Sequence, residues 1–211
     1  MPSPSVLLGK SKRYRMGMMG RDITKILDEA MTQALPLLHP AAVWVLKPLD
    51  PTAGMILPRI PEDVFSRLTI HFGVVCTIGP QLENCSHDYF EKQQFTLGYL
   101  MDQIGTFAVS ILSQKIASLL CHEYGAIRWA PGDLPEDQTF QTQYDLFKWV
   151  PAAQIGVHLT TQNVMMPIKS LSNNLYAGPE LHEIECLIAC SRCVWNGACD
   201  RQRCTTSLEG S

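Results

Sequence analysis

The chain has 211 residues, of which 46% are hydrophobic and 18% charged. That is the composition of a globular chain long enough to bury a sizeable core. A net charge of −3 provides no overall basic field to gather nucleic acid or anionic lipid, and the short basic run Lys10-Ser11-Lys12-Arg13-Tyr14-Arg15 reads as a solvated local face.

The first residues lack the long apolar run of a secretory signal, since Val6-Leu7-Leu8 is ended by Gly9 and Lys10. No stretch reads as long enough to span a bilayer, so the expectation is a cytoplasmic protein without membrane or nucleic-acid partners. The length fits one domain with a small appendage, divided as residues 1–185 and 186–211.

Residues 20–36 carry Ile23, Ile26, Leu27, Ala30 and Ala34 at helical spacing, and Pro36 ends the run. Ala42-Val43-Trp44-Val45-Leu46 is a short β-prone stretch, followed by a proline-rich extended connection over residues 47–61. Residues 68–78 form the best strand candidate, stopped by Gly79-Pro80. Residues 83–95 read as a surface helix. Residues 96–123 read as a long, mostly buried one, with a wide apolar face from Leu97 to Leu120. Gly98 and Gly105 lie seven apart on one side of it, which fits close packing, and Gly125 is a candidate C-cap.

Residues 128–135 then read as an irregular loop, and residues 141–150 as a short helix with Tyr144, Phe147 and Trp149 turned inward. Residues 155–160 alternate as a strand does, and a turn at Thr161-Gln162-Asn163 leads to a second strand over residues 164–172. Strands interleaved with long helices point to an α+β fold, a twisted antiparallel sheet packed with long helices and extended by a Cys-rich C-terminal tail.

No phosphate-binding glycine loop, dinucleotide fingerprint, nucleophile elbow or zincin motif is present in the sequence. Arg128-Trp129-Ala130-Pro131-Gly132 places a guanidinium beside a turn with bare backbone groups. Such an arginine can clamp a carboxylate through two parallel hydrogen bonds, although an arginine next to a Pro-Gly turn is also common on surfaces. Five of the eight cysteines crowd the C-terminus, at Cys186, Cys190, Cys193, Cys199 and Cys204. In a reducing compartment such crowding favours a metal, zinc or an iron–sulfur cluster, over disulfides. Cys186, Cys190 and Cys193 also have the spacing of radical S-adenosylmethionine enzymes, but the few residues after Cys193 cannot build the barrel that family needs.

Five segments, taken in order, resemble the activation domain of cobalamin-dependent methionine synthase, and still more its free-standing homologues. They are Thr77-Ile78-Gly79-Pro80, Leu100-Met101-Asp102-Gln103-Ile104-Gly105, Arg128-Trp129-Ala130-Pro131-Gly132, Ile155-Gly156-Val157-His158-Leu159-Thr160 and Met165-Met166-Pro167-Ile168-Lys169-Ser170-Leu171-Ser172. The resemblance implies an α+β fold and an S-adenosylmethionine site. In that site Arg128 would hold the methionine carboxylate, and the backbone of Ala130, Pro131 and Gly132 would contact the nucleoside. Glu123, Asp102, Lys169 and Ser170 match by position, each with a plain alternative as a solvated charge, a cap or a packing group.

The resemblance further implies an accessory protein for reductive reactivation of a corrinoid methyltransferase, with cobalamin on that partner and a separate reductant protein supplying the electron. The methyl transfer would need positioning and exclusion of water rather than a strong general base. Cys190, Cys193, Cys199 and Arg201 match the tail of the free-standing relatives. One position departs: Asp133 stands where the family usually has a tyrosine. That departure keeps a second reading open, a metal-stabilised module that docks on a corrinoid protein without binding S-adenosylmethionine. A third reading is a small redox protein.

Overall fold

The computed structural model describes residues 23–49, 68–124, 126–129 and 136–178, with backbone alone for residues 23–24, 121, 126–129 and 136–140. The opening helix α1 (Ile23–Ala34) runs into a 3-10 turn and is followed by strand β1 (Ala41–Pro48). Then come β2 (Ile70–Thr77), helix α2 (Gln81–Glu91), helix α3 (Phe95–Tyr124) and β3 (Ala126–Trp129). Helix α4 (Glu136–Phe147), the short strands β4 (His158–Leu159) and β5 (Met165–Met166), and finally β6 (Ser170–Ala177) complete the order.

The four long strands form an antiparallel sheet in the order β1-β2-β6-β3, and β4 pairs with β5 in a separate hairpin. Successive side chains of a strand point to opposite faces. Phe72, Val74 and Cys76 of β2, with Leu175 and Ala177 of β6, therefore meet the helix layer on one face. There they pack against Ala30 and Ala34 of α1, Leu82 of α2, and Met101, Ile104, Val109, Ile116 and Leu120 of α3. On the other face Val75 joins a smaller cluster of Leu146, Val150, Ala152 and Val157. Every residue of β2 from His71 to Thr77 is buried, which is why that strand reads as a continuous apolar run rather than an alternation.

Three glycines explain close approaches. A Cβ on Gly73 would lie 2.5 Å from the Trp149 ring, so the indole rests directly on the β2 backbone. Gly98 faces the Phe90 ring, and Gly105 faces Leu82 and the Lys169 stem. The close packing expected from the seven-residue spacing on α3 is thus present.

The expected α+β architecture holds, and most elements fall near where the sequence placed them; the expected strand over residues 155–160 shrinks to β4, because Ala152–Ile155 form a 3-10 turn closed by a left-handed Gly156, and four further differences stand out. Arg128 and Trp129 are not in an irregular loop but in the edge strand β3, where the backbone pairs Arg128 with Leu175 and Trp129 with Asn174. The expected second strand over residues 164–172 is split. β5 ends at a cis Met166-Pro167 bond, and β6 begins at Ser170 and continues to Ala177. Tyr144 does not turn inward: it is 45% exposed beneath the Lys148 ammonium, 4.6 Å from its ring centroid, while Leu146 takes the inward place.

The fourth difference concerns α3, which at 30 residues, with an 18-residue stretch of mean hydropathy 1.5, is long and apolar enough to cross a membrane by length and composition. The expectation that no stretch reaches that length does not hold. A core helix passes the same test, and α3 packs Met101, Ile104, Val109, Ile116 and Leu120 into the main core. Gly125, the candidate cap, lies outside the described residues.

Gly73→Ala is expected to destabilise the fold by about 1–3 kcal/mol, because a core with no room must shift the indole or the strand. Urea denaturation of the two proteins checks this; equal midpoints would mean that Trp149 does not hold the strand.

Candidate functional site

The structure separates the sequence-derived site residues into two groups. Asp102, Lys169 and Ser170 converge near the start of β6. Lys169 Nζ lies 2.6 Å from Asp102 Oδ1 and 2.9 Å from Thr106 Oγ1. The Lys169 side chain is 12% exposed and that of Asp102 43%. Ser170 Oγ donates to the Pro167 carbonyl at 2.7 Å and lies 3.0 Å from Thr77 Oγ1. The Ile168 backbone N–H donates to Glu83 Oε2 at 2.8 Å, and the Ile78 N–H donates to the Lys169 carbonyl at 3.2 Å. The segment before β6 is thereby tied to α2, α3 and the end of β2. Glu83 went unnoticed in the sequence because its partner amide lies 85 positions away.

Glu123 and Arg128 lie elsewhere. Glu123 is exposed in the last turn of α3, on the order of 30 Å along the helix from Asp102 at 1.5 Å per residue. Arg128 pairs by backbone with Leu175, about 17 Å along β6 from Ser170 at 3.4 Å per residue. One compact site holding every matched residue is therefore not what the backbone builds. Ala130, Pro131, Gly132 and Asp133 lie outside the described residues, as do Cys186, Cys190, Cys193, Cys199 and Cys204. Among the described residues no group of three or more His, Cys, Asp or Glu side chains could hold a metal.

Beside β3 the sheet carries a buried polar cluster that sequence reading missed. His71 of β2 is 5% exposed, and its Nε2 lies 2.7 Å from Asn174 Oδ1 of β6. Its ring stacks on Tyr176 with centroids 4.7 Å apart and meets Trp149 edge-on at 5.1 Å. Lys47 of β1, opposite His71 in the register, sits 4.3 Å from the Trp149 ring centroid. Burial, opposed by the Asn174 bond and aided by Lys47, pulls the His71 pKa down to about 4. Burial also raises that of Tyr176. The neutral imidazole must carry its proton on Nε2 to donate to Asn174, which leaves Nδ1 as a bare acceptor. That Nδ1 is buried and has no hydrogen-bond partner. The only sequence signal was a histidine inside a strand otherwise written in apolar residues.

A separate apolar cleft of about 360 Å³ opens between α4 and β4, floored by Val150, Ala152 and Val157 and edged by Tyr144, Lys148 and His158.

Two measurements follow. Lys169→Met leaves the half-exposed Asp102 without its cation and should lower stability by about 0.5–1 kcal/mol, read as a lower urea midpoint; an unchanged midpoint would make the pair a surface accessory. His71 is neutral in the folded chain down to about pH 4, whereas the unfolded imidazole takes up a proton below about pH 6.5. The unfolded state therefore binds the extra proton in that window. The stability due to a neutral His71 is fully present above pH 6.5 and falls, by up to about 3 kcal/mol, as the pH drops to 4. His71→Phe should flatten this part of the profile, and identical slopes in the two proteins would refute the assignment.

Comparison with known proteins comes at two levels. The family model for the activation domain of vitamin B12-dependent methionine synthase matches residues 112–187, a little over a third of the chain, running from the middle of α3 through β6. No curated protein matches. Among solved structures, the crystal structure of the MetH reactivation domain bound to AdoHcy is similar in fold, with a TM-score of 0.54 and 14% sequence identity. The likeness covers 75% of this chain and 66% of that one. In sequence over residues 112–187, and in fold over three quarters of its length, this chain is thus similar to the activation domain of vitamin B12-dependent methionine synthase.

Proposed function

We propose that this chain binds S-adenosylmethionine against the edge strand β3 and serves the reductive reactivation of a corrinoid-dependent methyltransferase. The observation that carries the reading is the position of the family match. It spans residues 112–187, and so contains Glu123, Arg128 and the turn Ala130-Pro131-Gly132. The AdoHcy bound to the MetH reactivation domain supports the same ligand class here.

Arg128 clamps the amino-acid carboxylate of the ligand, and the backbone groups of residues 130–132 contact its nucleoside. Glu123, at the end of α3 next to β3, is the nearest acidic group preceding Arg128 in sequence and is the candidate for the ligand's ammonium. Asp102, Lys169 and Ser170 act chiefly on one another and hold the start of β6 in place, rather than binding the ligand directly. When bound, S-adenosylmethionine supplies a methyl group from its sulfonium to a reduced corrinoid carried by the partner protein, and a separate reductant protein supplies the electron. The chain's own part is to bind and orient the ligand and to shield it from water. Cys186, Cys190, Cys193, Cys199 and Cys204 form a metal-binding tail for zinc or an iron–sulfur cluster.

Calorimetric titration of S-adenosylhomocysteine into the full chain purified without oxygen tests the reading. The unaltered chain should saturate, and Arg128→Ala should bind at least about tenfold more weakly through loss of a charge-assisted pair. No saturation of the unaltered, folded chain would overturn S-adenosylmethionine binding and favour a docking module, for which the Asp133 departure is the sequence argument.

A further inference from the structure

Strand β1 is the outermost strand at one side of the sheet, and among the described residues no strand pairs with its outer edge. One bond fixes the direction of its backbone groups. The Leu49 N–H donates to the Thr69 carbonyl at 2.9 Å, in the same register that sets Lys47 opposite His71 and Val45 opposite Gly73. Hydrogen-bonded pairs of an antiparallel ladder recur at every second residue. The odd-numbered residues of β1 therefore bond to β2, and Ala42, Trp44 and Leu46 turn their N–H and C=O groups outward.

The side chains of these three residues share a face with Cys76, Val74 and Phe72, which lie opposite them on β2. On that face the helix layer buries all three β2 residues and reaches Ala42, but it leaves Trp44 44% and Leu46 51% exposed. An open edge strand is ordinarily guarded by a charge, an internal proline or a bulge. Here Pro40 and Pro48 stand only at the two ends. The single charged residue of β1, Lys47, sits over the Trp149 ring on the other face, 4.3 Å from its centroid.

The occupant that fits this edge is a second copy of the same strand. In an antiparallel pairing about a two-fold axis at Trp44, that residue faces its own counterpart and Ala42 faces Leu46 of the partner subunit. All three outward residues then exchange backbone bonds, a small side chain meets a large one, and two indoles form a cross-strand aromatic pair. Pro40 falls opposite Pro48 of the partner subunit, so neither proline, lacking a donor, is set against an outward residue. A slip of two residues in either direction would bring a proline against one of them. Lys47 faces Ala41 of the partner subunit, and the two ammonium groups are about 20 Å apart along the strands at 3.4 Å per residue, well beyond the reach of unscreened repulsion.

We propose that β1 is a self-association surface, through which two copies of this chain join edge to edge at Ala42, Trp44 and Leu46 into one continuous sheet. β3 lies at the far side of the sheet from β1, so each copy keeps the strand that carries Arg128 free. Such a dimer needs no ligand, and its failure leaves the proposed function untouched.

Analytical ultracentrifugation of the full chain over a range of micromolar concentrations tests the proposal. The unaltered chain should sediment with twice the mass of one chain. Trp44→Lys changes an exposed side chain and opposes two ammonium groups across the interface, so it should raise the dissociation constant at least about tenfold. Val164→Lys, at a comparable 43% exposure in the turn between β4 and β5, should leave it unchanged. The mass of a single chain at every concentration overturns the proposal, and so does a dimer undiminished in a folded Trp44→Lys.

Amide hydrogen exchange removes the dependence on a variant. In the unaltered chain the amides of Ala42, Trp44 and Leu46 should exchange at least about tenfold more slowly in concentrated solution than after dilution to single chains. Fast exchange at both concentrations means that copies meet elsewhere or not at all. Equal protection at both means that a segment of the same chain covers the edge. Either result overturns the proposal.

Discussion

The structure depends on the burial of β2 on both faces. A strand with water on one side would need only one layer against it. This one carries the helix layer on Phe72, Val74 and Cys76 and the α4 region on Val75. A shift in register by one residue would exchange every side chain between the two layers. The absent side chain of Gly73, which admits the Trp149 ring, and the bulk of Phe72 on the other face set the same register from opposite sides. The pairing of β2 with β6 over their full length transmits that register to the strand on which β3 rests.

Polar groups near this sheet fall into two kinds. At the start of β6, Lys169, Asp102, Thr106, Ser170, Thr77 and Glu83 are engaged with one another or with backbone amides and carbonyls. Such a network fixes a geometry, and it holds because nearly every member is satisfied. Two strand spacings from β3, His71 is held by stacking and by one hydrogen bond, and has one nitrogen left over. Satisfied networks serve the frame, while at His71 stacking and burial outweigh the cost of one acceptor left without a partner.

The long helix α3 shows how composition can point two ways. Its length and hydropathy meet the requirement for crossing a bilayer, yet the same apolar residues cover the sheet. Asp102 lies near its start and is paired with Lys169 from another element. Hydropathy counts side chains without saying what they face, and only the packing distinguishes the two uses.

The sequence by itself determined the long helices, the strands β1 and β2, and the α+β class. Those follow from local periodicity and from breakers such as Pro36 and Gly79-Pro80, which act on the backbone wherever the chain lies. Arg128 as a candidate ligand group was legible through its neighbours Pro131 and Gly132 and through the resemblance they carry. Its place in a strand was not, because β3 is only four residues long and exists through pairing with β6, from which it is separated by about forty residues. The split of Lys169 and Ser170 from Glu123 was equally out of reach, since it is a distance along a helix and a strand rather than along the chain. The tertiary structure alone decided that His71, Asn174 and Tyr176, scattered over more than a hundred positions, would share one buried face. Burial and hydrogen-bond satisfaction are properties of surroundings, and surroundings exist only once the chain has folded.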